Sequence, residues 1–221
     1  TGGGAGPDYY TEVPAGPIAL RNVADLYIYP NDLKIVLLTG RQVRAWLEKS
    51  ATVFNTIDPQ STGGQWLVNA KVPGYNFDVI DGVTYEIDVT RPAWQPAAGG
   101  PKPGEGRIRN LQYGGKPIDP AQKFLVVTNS YRAGGGGHFP ALDGSSAVID
   151  APDKNRDVIA AYFLSKPALD PSPDGNWKLA ATTGRALVYF RSAPKARVLA
   201  SGKLRFVKIM DDGFAQFSLQ P

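Results

Sequence analysis

The sequence predicts an α+β fold, a mixed β-sheet with packed helices. Two observations carry this: β-branched apolar runs at Leu33–Leu38 and Lys123–Thr128, and helical apolar stripes at Val43/Trp46/Leu47 and Val158/Ile159/Tyr162/Phe163. At 221 residues, 43% hydrophobic and 20% charged, the chain is long enough to bury one sizeable core, so residues 1–221 are expected to form one domain.

Leu20 to Tyr27 suits a short helix, which Pro30-Asn31 ends. Leu33–Leu38 then reads as a buried strand. Thr39-Gly40 opens a helix whose Val43, Trp46 and Leu47 face inward, while Arg44 and Glu48 pair at i,i+4 on the wet side. Asn55 to Lys71 is broken by Asp58-Pro59 and Ser61-Thr62-Gly63-Gly64 and is expected to be a surface loop.

Tyr75 to Val89 reads as a hairpin about Asp81-Gly82. A three-residue turn, Ile80-Asp81-Gly82, with Gly82 left-handed, sets Tyr75, Phe77 and Val79 beside Val83, Tyr85 and Ile87 and keeps the apolar face continuous. Pro92 to Gly106 is rich in proline and glycine and is expected to be an exposed loop before a strand at Arg107–Leu111. Lys123–Thr128 is the clearest central strand and runs into Asn129-Ser130-Tyr131-Arg132-Ala133 and four glycines. Asp150 is an N-cap candidate, with Pro152 and Asp153 in the first turn of a helix that should cover the sheet. After a loop at Pro167–Gly175, short strands near 186–190, 204–209 and 214–219 finish the sheet. Lys195 to Lys208, the densest basic stretch, suits a helix followed by a strand.

Composition excludes several chemistries. With no cysteine, disulfides and thiolate catalysis are absent. The only histidine, His138, rules out a multi-histidine metal centre, and without a Gly-x-Ser-x-Gly elbow it is most simply a loop residue. Asp211-Asp212-Gly213 reads as a turn, so no metal site is expected on this chain. The net charge of +4 is scattered, which disfavours a nucleic-acid footprint. No run of roughly 18 apolar residues points to a membrane span, and Thr1-Gly2-Gly3-Gly4 lacks the regions of a signal peptide, so a soluble, processed or excised piece is expected.

Gly134, Gly135, Gly136 and Gly137 lack the Lys-Ser or Lys-Thr of a phosphate loop, which leaves a flexible turn or a slot. Tyr131 just before them favours the slot: an exposed ring at a strand's C-terminal end, beside a loop free of side chains, suits base stacking. Tyr75, after Pro73-Gly74, is either a core residue or the second wall of that slot, with Asn76 and Asp78 as polar neighbours able to read base edges.

At these residues the sequence resembles the C-terminal domain of the 5'-nucleotidase superfamily, most closely its 2',3'-cyclic-nucleotide 2'-phosphodiesterase/3'-nucleotidase branch. The resemblance covers nearly the whole chain. It rests on Arg21-Asn22-Val23-Ala24-Asp25-Leu26-Tyr27, Tyr75-Asn76-Phe77-Asp78-Val79-Ile80-Asp81-Gly82, Gly115-Lys116-Pro117-Ile118-Asp119-Pro120, Asn129-Ser130-Tyr131-Arg132-Ala133 and Asp153-Lys154-Asn155-Arg156. It implies a base clamped by Tyr75 and Tyr131, a pocket lined by Arg132, Ala133 and Gly134–Gly137, and a periplasmic home. It also implies catalysis by an N-terminal metallophosphoesterase domain holding two divalent metal ions, with Gly2–Gly4 just beyond the boundary. Two departures limit the transfer. Gly137 stands where 5'-nucleotidase relatives carry an acid, and their phosphate-binding arginines have no match, so 5'-nucleotides are disfavoured. Arg132 is either a phosphate partner or a surface ion-pair residue. The alternative to a nucleotide-recognition domain is a stand-alone module binding a protein or single-stranded RNA through the same aromatics.

Overall fold

The computed structural model describes residues 13, 15–95, 104–181 and 184–219. Gly2–Gly4 and residues 96–103 of the expected loop lie outside them. In chain order the elements are α1 (Leu20–Leu26), β1 (Asp32–Thr39), α2 (Gly40–Ser50), β2 (Gly64–Trp66), β3 (Val83–Ile87), β4 (Ile108–Tyr113), β5 (Lys116–Pro117) and β6 (Lys123–Asn129). There follow α3 (Ser130–Ala133), β7 (Ala147–Lys154), α4 (Asn155–Leu164), β8 (Trp177–Leu179), β9 (Leu187–Ser192), β10 (Leu204–Ile209) and β11 (Ala215–Leu219). Single 3-10 turns occupy Ala51–Val53 and Gly74–Asn76, and a six-residue 3-10 helix spans Pro194–Leu199.

The strands form three sheets, ordered β6-β1-β7, β10-β11-β9-β2 and β5-β4-β3-β8. Among the described residues β2–β9 and β3–β8 pair in parallel, so two of the sheets are mixed while β6-β1-β7 is antiparallel, in keeping with the α+β reading. One buried cluster joins all three, running from Val36 and Leu38 through Val43, Trp46 and Leu47 to Val83, Tyr85, Ile87, Ile108 and Val188.

The β1–α2 unit forms as its sequence dictates. Thr39 caps the helix, its hydroxyl accepting from the Gln42 N–H (3.3 Å) while Gln42 Oε1 accepts from the Thr39 N–H (2.8 Å). Glu48, however, is not on the wet side. It is 1% exposed, and its two oxygens accept from the backbone N–H groups of Arg107 and Ile108, both at 2.9 Å. Burial pushes its carboxyl above the usual range, against the pull of these two N–H groups and of Arg44 and Arg107. Helix α2 is thus bolted to β4 through a carboxylate that pattern alone assigns to solvent.

Four further expectations are corrected. Lys123–Thr128 is an edge strand, because β1 takes the centre between β6 and β7, and the β6 residues Leu125 and Val127 are 65% and 60% exposed. The hairpin at 75–89 loses its first strand: β3 already has β4 on one side and β8 on the other. Phe77 instead packs edge-on between Phe54 (5.3 Å) and Trp177 (5.2 Å). Gly82 does take the left-handed conformation expected of it, with φ 84°.

The stretch 55–71 contains β2 and buries Ile57 and Leu67. Asp150, Pro152 and Asp153 lie in β7 rather than at a helix start, because the cross-strand pairing of Ile149 with Ile35 and of Asp150 with Lys34 outweighs local capping preference. The helix begins at Asn155, and none of its residues is fully buried. At the C-terminus, a 3-10 helix at Pro194–Leu199 leads to β10, and β9 to β11 form close to their expected positions.

Candidate functional site

Tyr75 and Tyr131 come from segments far apart in sequence, and neither is a core residue: they are 54% and 48% exposed. Tyr131 is presented by the end of β6. The Asn129 side chain caps the one-turn helix α3 by accepting from the Arg132 N–H (2.7 Å), which turns Tyr131 outward while Arg132 and Ala133 go inward. Tyr75 sits in a 3-10 turn closed by the Asn76 and Phe77 N–H groups donating to the carbonyls of Pro73 (2.9 Å) and Gly74 (3.0 Å).

The two segments meet at the Arg132 guanidinium, which is 4% exposed. Its Nη2 donates to Asp78 Oδ1 at 2.9 Å, and its Nε lies 2.8 Å from Asp78 Oδ2 in the same ion pair. Nη2 also donates to the Tyr75 carbonyl (3.1 Å), and Nη1 to the Gly136 carbonyl and to Asn76 Oδ1 (3.4 Å). Phe139 covers one face with its ring centroid 4.0 Å from Cζ, and the Tyr131 ring lies 5.6 Å away. Arg132 is therefore not a surface residue, and both of its Nη groups are engaged by protein acceptors.

Asp78 is equally committed. Trp46 Nε1 donates to its Oδ2 (2.7 Å) and the Ser50 hydroxyl to its backbone carbonyl (2.6 Å), so α2 anchors the Tyr75 segment from below. Sequence reading assigned Trp46 only to the core and made nothing of Ser50 and Phe139. Trp46 lies edge-on to Phe139 (6.0 Å), which closes the floor.

The glycine loop is packed rather than a loose turn. A Cβ on Gly136 would stand 2.5 Å from Cε1 and Cζ of Tyr131, so the ring lies directly on that residue's backbone. At Gly137, with φ +77°, a Cβ would overlap Arg132 Nη1 and stand 2.5 Å from Asn76 Oδ1. The space that a side chain at 137 would need is filled by the guanidinium and Asn76. Gly134 and Gly135 close the turn through the Ser130 and Arg132 carbonyls, and the Ala133 carbonyl accepts from Gly144. His138 is an exposed loop residue, as expected.

A groove of about 980 Å³ between residues 77–83 and β6 shares Asp78 and Arg132 with this site, but neither tyrosine lines it. Tyr75 and Tyr131 instead stand exposed on the two segments that the Arg132–Asp78 ion pair joins. Among the described residues, no three His, Cys, Asp or Glu side chains gather into a metal-holding group, and no helix is long and apolar enough to cross a membrane.

The chain is 45% identical to a trifunctional nucleotide phosphoesterase of Bacillus subtilis over 99% of its length and 15% of that protein. It is 42% identical to a 2',3'-cyclic-nucleotide 2'-phosphodiesterase/3'-nucleotidase of Salmonella typhimurium over 96% of its length and 35% of the relative. It thus spans about a third or less of the curated relatives it matches. Its fold resembles that of a 5'-nucleotidase precursor of Thermus thermophilus, with a TM-score of 0.57 at 19% identity, covering 77% of this chain and 29% of the other. Residues 3–144 match the family described as 5'-nucleotidase, C-terminal domain, and the chain belongs to that family.

Proposed function

We propose that residues 1–221 act as one substrate-recognition domain of a periplasmic phosphoric ester hydrolase of nucleotide catabolism. Its substrates are 2',3'-cyclic nucleotides and 3'-nucleotides, and the nucleobase is stacked between Tyr75 and Tyr131. The observation that carries the reading is that two half-exposed tyrosines from separate segments hang on one buried guanidinium. The names of the relatives at 42% and 45% identity supply the substrate class. Stacking contributes roughly 1–3 kcal/mol per ring by analogy with nucleic-acid binding, enough to orient a base while leaving the phosphate free. Gly134–Gly137 form a slot edge without side chains that would obstruct a ring, and Asn76 is the polar neighbour of the slot, whereas Ala133 is buried in the core and supports the loop from beneath.

The chemistry belongs to an N-terminal metallophosphoesterase domain of the same polypeptide, whose two divalent ions activate water and stabilise the leaving oxygen. The contribution of this chain is positional: a base fixed in the slot holds the 3' side of the ribose toward that domain. No turnover is expected from this chain alone.

The test is an NMR titration with adenosine. Saturable shifts centred on residue 75 and on residues 131–137, lost in Tyr75→Ala and Tyr131→Ala, support the clamp. No shift at millimolar adenosine in the folded protein rules out a clamp preformed in this chain, and metal-dependent hydrolysis by a clean preparation overturns the division of labour.

A further inference from the structure

We infer that Arg132 is a positioning residue that sets the spacing of the two tyrosines and touches no part of the ligand; this rests on the stacking reading above. A guanidinium has five N–H groups. Four of those of Arg132 donate to protein acceptors, one each to Asp78 Oδ1, the Tyr75 carbonyl, the Gly136 carbonyl and Asn76 Oδ1, and Nε stands 2.8 Å from Asp78 Oδ2 in the ion pair. The bonds to Tyr75 and Gly136 go to backbone carbonyls on the two segments that bear the rings. One side chain therefore ties the residue bearing one ring to the residue on which the other ring lies.

The tie is anchored on both sides. Asp78 is held by Trp46 and Ser50 of α2, and the guanidinium face is covered by Phe139. Lysine cannot replace this arrangement, because an ammonium offers three donors from one atom and no planar fork. The slot is preorganised by a buried ion pair, and its affinity reports on a residue the ligand never meets.

The experiment compares the wild-type chain with Arg132→Lys, titrating each with adenosine and with adenosine 3'-phosphate and following amide hydrogen exchange without ligand. The expected result is a fall of about tenfold in affinity for both ligands by the same factor, as loss of preorganisation requires. Exchange protection of the Asn76, Phe77, Gly136 and His138 amides should fall together. Selective loss of adenosine 3'-phosphate would make Arg132 a phosphate ligand and overturn the inference. So would unchanged affinities, or loosening of one segment without the other. If the wild-type chain binds neither ligand, the stacking reading fails by itself, and the exchange data alone decide whether Arg132 fastens the two segments. Should Arg132→Lys not fold, Asp78→Asn removes the same ion pair at equal size and is expected to produce the same paired, smaller effect.

Discussion

Gly136→Ala separates the slot from the stability of the fold. The added methyl would stand 2.5 Å from Cε1 and Cζ of Tyr131 and 2.6 Å from Cδ1. Ordinary carbon contacts lie near 3.5–4.0 Å, so the ring must retreat by roughly 1 Å or swing away. It can do so at little cost, because Tyr131 is half exposed and Gly136 is not among the residues with positive φ. Removing glycine's freedom from the unfolded chain even favours the variant by up to about 1 kcal/mol. Displacing the ring forfeits its stacking, about 1–3 kcal/mol, which is a roughly 5- to 150-fold loss of affinity for adenosine. Calorimetric titration and urea unfolding of the same preparations read the two quantities separately. Affinity within about twofold of wild type would refute the placement of the base on Tyr131. A loss of more than about 2 kcal/mol of stability would show that Tyr131 is a packing residue whose exposure misleads.

Gly137→Ala should do the opposite. Its methyl meets Arg132, Asn76 and, at 3.0 Å, Phe139 in a left-handed backbone, so a stability loss of about 2–4 kcal/mol is expected in urea unfolding. Glu48→Ala orphans two buried N–H groups, worth about 1–3 kcal/mol each, partly offset because the carboxylate was costly to bury; a net loss of about 2–4 kcal/mol should appear as a lower urea midpoint. Asp88 has its carboxyl held below the usual range: burial works against this but is outweighed by the Thr90 hydroxyl and N–H and by Arg91. A depressed carboxylate stabilises the fold above its unfolded-state value and ceases to do so as pH falls through the lowered one. The advantage of wild type over Asp88→Asn should accordingly be full at neutral pH and vanish in acid unfolding curves. Affinity for adenosine, an uncharged ligand, should be unchanged by added salt in isothermal titration, whereas a module tracking an RNA backbone would lose affinity steeply.

Much of the fold was legible because local signals and tertiary packing agree. Thr39, Gln42 and the stripe of Val43, Trp46 and Leu47 make β1–α2 readable without a structure. Where they disagree, the sequence misleads for identifiable reasons. Asp150-Ala151-Pro152-Asp153 reads as a helix start, but strand pairing to β1 is a non-local term that capping rules do not contain. Lys123–Thr128 is apolar enough to be central, yet centrality depends on which strands lie beside it, and β1 has both neighbours. Tyr131 was legible as an exposed ring at a strand end, whereas pattern left Tyr75 open between the core and the surface, and the structure places it at the surface. The Arg132–Asp78 bond between them was not legible. A charged side chain next to an aromatic at a strand end is usually at the surface, and only the fold reveals that 54 residues away an aspartate waits in register.

The buried ion pair also accounts for the chemical character of the surface it supports. The Arg132–Asp78 pair carries no net charge, and the other Nη donors go to the Tyr75 and Gly136 carbonyls and to Asn76 Oδ1. The guanidinium at this site is turned inward, where it fixes backbone. In the stacking reading proposed above, two rings beside such a pair would discriminate by planarity and polarisability rather than by charge. That suits the part of a nucleotide that does not react, the base, and leaves the part that does react to be handled elsewhere. Placing recognition and reactivity on separate surfaces means that binding energy gathered at the tyrosines can act on the phosphate only through the rigidity of the frame between them. The Asp78–Arg132–Gly136 connection is that frame on this chain, which is why its failure should appear as lost affinity for every base-bearing ligand alike.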